Sequence, residues 1–121
     1  MSIKLITVVE LPEFQKFAKT SLDEKECMEI VNYIAANPEQ GDIIKGEGGI
    51  RKLRFALGSN NKGKSGGIRI IYFFYNENML VFLITGLIKS KEENISQDSC
   101  NKLKILSEGL IKLYMNRGKN E

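Results

Sequence analysis

The side chains best able to do chemistry in this chain are basic, and they are crowded into one short stretch. Residues 45–69 hold Lys45, Arg51, Lys52, Arg54, Lys62, Lys64 and Arg69 against Glu47 alone, a net of +6, while residues 1–44 carry four lysines against eight acids. The whole chain is only +3, so the positive field is local, and a molecule charged in this way orients toward a polyanion. The alternative is a solvated basic loop on an ordinary protein. Bases interleaved with strand-forming residues, as in Arg51–Leu57 and Ile68–Tyr75, favour a binding face.

Other chemistries are narrowed by composition. Histidine is absent, which excludes imidazole acid–base catalysis and every histidine-containing metal site. Cys27 and Cys100 lie far apart and form no C-x-x-C pair, so neither a zinc site nor a disulfide framework is expected, and no cofactor is implied. Both cysteines read as residues on apolar helical faces and not as nucleophiles. The acids fall at positions that suit solvated helix faces, and the glycines around Lys62 and Lys64 lack phosphate-loop spacing. What remains is a sheet carrying Lys and Arg with aromatic residues nearby. RNA can be cleaved on such a surface, because its own 2′-oxygen attacks the adjacent phosphorus. Guanidinium groups then clamp the phosphate, crowded ammonium groups assist proton transfer, and aromatic rings stack on displaced bases. These ingredients do not by themselves separate cleavage from binding.

The elements that must position these side chains fit one domain over residues 1–121, since 121 residues and 13.7 kDa support a single core. Ile3–Val9 reads as a strand. Pro12 suits a helix's first turn, with Phe14, Phe17 and Ala18 on one face. Ser21 with Glu24 forms a capping-box pattern for a second helix. That helix turns Cys27, Ile30, Val31 and Ile34 inward and ends at Asn37-Pro38. Arg51–Leu57 alternates, with Leu53, Phe55 and Leu57 on one side and Lys52 and Arg54 on the other. Gly58–Gly67 is a connection, and Ile68–Tyr75 is apolar on both faces, as in a central strand. Asn76-Glu77-Asn78 turns into a returning strand, Met79–Thr85. Ser96 caps a last helix with a stripe of Leu103, Leu106, Leu110 and Leu113. The order β-α-α-β-β-β-α predicts an α+β fold, an antiparallel sheet of about four strands with the helices on one side. No stretch approaches a membrane helix, and Met1–Glu10 lacks a basic-then-apolar leader pattern, so a cytoplasmic protein with reduced thiols is expected.

Gly48-Gly49-Ile50-Arg51-Lys52-Leu53-Arg54, followed by Gly63-Lys64-Ser65-Gly66-Gly67-Ile68-Arg69-Ile70-Ile71-Tyr72-Phe73, resembles the HigB branch of the RelE/ParE toxin superfamily. Asn37-Pro38-Glu39-Gln40-Gly41-Asp42 is similar to that branch's N-P-x-x-G-D turn, and Ile88–Ser96 to its lysine-containing segment before the last helix. The resemblance runs from about Glu13 to about Asn116. It implies a RelE-like fold with an N-terminal helical hairpin and a C-terminal helix. The implied activity is that of a ribosome-dependent messenger-RNA endonuclease, the toxin of a type II toxin–antitoxin pair. Its partners would be the ribosome, mRNA in the ribosomal A site, and a cognate antitoxin, in this branch usually a HigA-like helix-turn-helix protein; no membrane is involved. Transferred by position, Arg69 matches the catalytic arginine of the central strand. Arg51, Lys52 and Arg54 match the basic strand facing RNA, and Lys89 lies in the segment that supplies another active-site base. Where many relatives carry tyrosine, two residues before Lys89, this chain has Leu87; Tyr72 or Tyr75 is the nearest candidate for a replacement ring.

The working assignment is therefore Arg69, Arg54 and Lys89 for catalysis, with Arg51, Lys52, Lys62, Lys64 and Tyr72 contacting RNA. Each has a structural alternative. Arg69 could pair with an acid of the helical hairpin, Tyr72 could be core, and the lysines could simply be solvated. Two other readings stand beside the nuclease: a catalytically weak RelE-like protein that binds RNA or an antitoxin, and a ParE-like gyrase inhibitor.

Overall fold

A computed structural model describes residues 6–44, 49–55, 67–75, 80–88 and 97–119, with side chains of the last helix described over 101–113. The chain forms β1 (Thr7–Glu10), α1 (Pro12–Ser21), α2 (Glu24–Ala36), β2 (Asp42–Ile43), β3 (Ile50–Phe55), β4 (Ile68–Tyr75), β5 (Leu80–Ile88) and α3 (Gln97–Lys119). One five-stranded sheet has the order β1-β5-β4-β3-β2. The two helices of the hairpin carry the chain from one edge of the sheet to the other, and β2 to β5 then return as an antiparallel meander.

The result is α+β, as the element order predicts, but the sheet has five strands and not about four, because the two-residue β2 is added at one edge, and two further differences follow. Strand β1 runs parallel to β5, from Thr7↔Leu80 to Glu10↔Leu83, so the sheet is mixed and not wholly antiparallel. Adjacent strands joined by short turns must alternate in direction, but β1 and β5 are far apart in sequence and nothing local fixes their sense. The second difference is that helices cover both faces. Phe14 of α1 and Ile30 and Ile34 of α2 pack on Ile68, Ile70, Tyr72, Val81 and Leu83. Leu103, Leu110 and Ile111 of α3 pack on the other side, against Ile50, Ile71, Phe73, Phe82 and Ile84. A central strand apolar on both faces needs two covers, and β4 is such a strand.

Boundaries also move: β5 runs to Ile88, three residues past the expected end at Thr85. Helix α2 is capped by Asp23, not Ser21: the Glu26 backbone N–H donates to Asp23 Oδ1 at 2.7 Å, and the Asp23 N–H donates to Glu26 Oε1 at 3.0 Å. Ser21 instead ends α1, because Leu22 must remain extended to reach the core. On α3 the inward stripe is Leu103, Ser107, Leu110 and Ile111, while Leu106 and Leu113 are exposed. Leu57, Ser96 and the turn at 76–78 lie outside the described residues. No helix is long and apolar enough to cross a membrane among the described residues.

Candidate RNA-binding and catalytic face

Strand alternation sorts the basic residues onto two faces. On β4, Ile68, Ile70 and Tyr72 belong to the core under the helical hairpin, and Ile71 and Phe73 to the core under α3. Arg69 therefore shares the α3 face. On β3, Leu53 and Phe55 face the hairpin and Ile50 faces α3, which puts Lys52 and Arg54 on the face of Arg69.

The register brings two of these into contact range. Arg54 is the Cα partner of Arg69, and Arg69 is the partner of Leu87, so Arg54, Arg69 and Leu87 form one row across three strands. Directly opposed residues have Cβ atoms about 4.5–5.5 Å apart. The β4–β5 register shifts between Ile71 and Tyr72, whose partners are Thr85 and Leu83. This bulge on β5 re-aims the strand's last residues and sets Leu87 beside Arg69. Lys52 lies one row inward, opposite Ile71, with Asp42 of β2 as its other neighbour.

Arg54 is exposed and Arg69 half-buried. Nη1 of Arg69 is buried with no hydrogen-bond partner among the described residues. The pairing of Arg69 with a hairpin acid, which the sequence leaves open, is not made: the hairpin lies on the other face. Two guanidinium groups set side by side, one with a buried unmet donor, form an arrangement that disfavours folding, and an oxyanion on the exposed side of the pair would offset their like charge. These are the features of an electrostatic clamp for phosphate.

Arg51 and Tyr72 do something else. Arg51 points to the hairpin side, where its Nη1 donates to the carbonyl oxygens of Glu39 at 2.9 Å and Gly41 at 2.8 Å. Tyr72 is fully buried; its hydroxyl donates to Pro38 O at 2.9 Å and accepts from the Gly41 N–H at 2.9 Å. A Cβ on Gly41 would sit 2.7 Å from that hydroxyl oxygen, so glycine is the residue that fits. The N-P-E-Q-G-D turn is thus held to the sheet by Tyr72 and Arg51. Tyr72 has no ring surface left for a base, and its assignment as an RNA-stacking residue is corrected to a structural one. Burial pushes its phenol up, outweighing the opposing influences of the Gly41 N–H and of Arg51. Arg51 is likewise not brought together with Arg54 and Arg69. Lys62, Lys64 and Lys89 lie outside the described residues.

No grouping of three or more Cys, Asp or Glu side chains suited to a metal occurs among the described residues. Cys27 is half-buried, its thiol pushed up by burial and then by Glu10, which disfavours thiolate chemistry. A further set of residues gave no signal in the sequence: Glu29 and Tyr33 of α2 with Gln40, Leu53, Arg54 and Phe55 line a cleft of about 350 Å³ at the β3 edge. Its aromatic members come from different elements, so no spacing rule links them.

The fold has solved counterparts. Escherichia coli toxin RelE, as a double arginine-to-alanine variant in the free state, superposes with a TM-score of 0.54 at 15% identity, covering 74% of this chain and 90% of that one. The toxin–antitoxin complex RelBE of E. coli gives a TM-score of 0.50 at 15% identity, over 68% of this chain and 94% of the other. A conserved hypothetical protein of Helicobacter pylori gives 0.50 at 15% identity, over 72% and 98%. Residues 7–117 match the family described as the RelE toxin of the RelE / RelB toxin-antitoxin system. That match spans the sheet, all three helices and the paired arginines, and the chain belongs to the RelE toxin family.

Proposed function

We propose that this chain is a ribosome-dependent messenger-RNA endonuclease of the HigB branch, the toxin of a type II toxin–antitoxin pair, acting in the cytoplasm. The observation that carries the reading is the Arg54–Arg69 pair, two like charges opposed on one face of the sheet. In the reaction, the 2′-oxygen of a messenger nucleotide attacks its own 3′-phosphorus. The P–O bond to the next nucleotide breaks, leaving a cyclic phosphate and a free 5′-hydroxyl. Arg69 and Arg54 hold the non-bridging oxygens as charge accumulates on them, with Lys52 one row away on the same face. Lys89 is the candidate for taking the 2′ proton, and water supplies one to the departing 5′-oxygen. Lys89 follows Ile88, the partner of Ile68, and Lys62 and Lys64 lie in the sequence between Phe55 and Gly67. The ribosome would present the A-site message in a bent form that a small sheet cannot impose alone. A HigA-like helix-turn-helix antitoxin would neutralise the chain.

One observation favours a second reading. Leu87 stands beside Arg69, so the row contributes no phenol to proton transfer, and a protein that binds message without cutting it would keep the clamp alone. Expression without an antitoxin separates the two. Growth arrest with new, codon-associated 5′ ends in primer extension supports the nuclease. Arrest with intact messages supports the binder, and the absence of both removes the toxin reading.

A further inference from the structure

Strand β2 pairs only with Arg51 and Lys52. Among the described residues, β3 is therefore a sheet edge from Leu53 to Phe55, and this edge opens onto the α2 side. There Tyr33, 41% exposed, meets Phe55 edge-to-face, with centroids 5.5 Å apart and planes at 83°. The two rings make a corner in the cleft of about 350 Å³, near the lower limit of ligand pockets, about 300–1,000 Å³. Glu29, one helical turn before Tyr33, and Gln40 supply a carboxylate and an amide to the same space. Arg54 lines the mouth and is also the outer member of the arginine row. The cleft and the clamp therefore share a residue while lying on opposite faces of one edge strand.

We propose that this cleft is a nucleobase subsite, preferring guanine, for a nucleotide whose phosphate rests on Arg54. The inference rests on the RNA reading above. A strand of RNA crossing the open edge leaves a phosphate on the arginine side and drops its base over the edge into the aromatic corner. Aromatic stacking holds any base, because every base has a π face. Glu29 adds selectivity: guanine alone offers two adjacent N–H donors, N1 and N2, to a carboxylate fork, whereas the other bases turn an acceptor toward it.

The test is titration of the isotopically labelled full chain with 5′-GMP, 5′-AMP, 5′-CMP, 5′-UMP and inorganic phosphate, followed by NMR. GMP is expected to shift the Tyr33 and Phe55 ring signals and to bind about tenfold more tightly than the other three. Glu29→Gln should bring that preference close to one. Tyr33→Leu, which keeps an apolar contact with Phe55, should weaken all four nucleotides about tenfold while leaving inorganic phosphate unaffected. Arg54→Ala should weaken nucleotides and phosphate together. Shifts confined to Arg54 and Arg69, with no ranking of bases and no effect of Tyr33→Leu, would overturn the subsite and leave the RNA reading standing. A native chain that binds none of the probes likewise overturns the subsite, while the RNA reading is decided separately by cleavage on ribosomes.

Discussion

Replacing Arg69 by methionine should make the protein more stable and inactive. The side chain lies in a row with Arg54 and Leu87, next to Ile71, so methionine fills similar space with apolar atoms. Its buried Nη1 has no partner among the described residues, and a desolvated, unpaired donor costs about 1–3 kcal/mol. Removing the like charge opposite Arg54 adds a few tenths more. An unfolding entropy of about 2.1 cal/mol/K per residue, over 121 residues, converts each kcal/mol into about 4 °C. Arg69→Met should therefore melt about 4–12 °C higher in phosphate-free buffer, measured by calorimetry. Phosphate at millimolar concentration should raise the Tm of the native chain and leave that of the variant unchanged, because only the native clamp binds it. A variant that melts lower than the native protein would refute the reasoning, since Arg69 would then have a stabilising partner and a structural role.

Other consequences of the geometry are checkable by simpler means. Tyr72→Phe leaves the buried Gly41 N–H unpaired and should cost about 1–3 kcal/mol in urea unfolding. Because burial raises the folded-state phenol, the unfolded chain loses its proton first: native stability should be complete below about pH 10 and fall as pH rises through the folded value, a fall that Tyr72→Phe removes. Asp23→Ala breaks the capping box and should cost about 1 kcal/mol, whereas Ser21→Ala should cost less than half as much in the same assay. Gly86→Ala would drive a Cβ into the Phe17 ring and should lower the Tm by several degrees unless Phe17 is also reduced to leucine.

Much of this arrangement is written in local sequence. The alternation of Leu53, Arg54 and Phe55 and the double-sided apolar run of β4 specify strands, and Asn37-Pro38 ends α2 as read. The parity that puts Lys52 and Arg54 on one side also follows from spacing alone. What could not be read depends on long-range placement. The parallel β1–β5 pairing joins segments about seventy residues apart. The row that sets Leu87 beside Arg69 depends on a bulge that no residue type announces. Arg51 shares the parity of Leu53 and so faces the hairpin, where the N-P-E-Q-G-D turn takes its guanidinium. Tyr72 reads in the sequence more readily as core than as a stacking ring, and only the turn over it shows what its hydroxyl holds. The shift of the α2 cap from Ser21 to Asp23 has a similar origin, because both patterns are present and the burial of Leu22 decides between them.

In the proposed activity the guanidinium pair of Arg54 and Arg69 supplies the charge that cleavage of a message needs. Primer extension on purified ribosomes programmed with a defined message tests it most directly, comparing the native chain with Arg69→Lys and Arg54→Ala. Codon-associated 5′ ends should form with the native chain on ribosomes, scarcely form on naked RNA, and fall by at least about a hundredfold with Arg69→Lys, because a point charge cannot replace a bidentate fork. Equal cutting by the native chain and both variants would contradict the account.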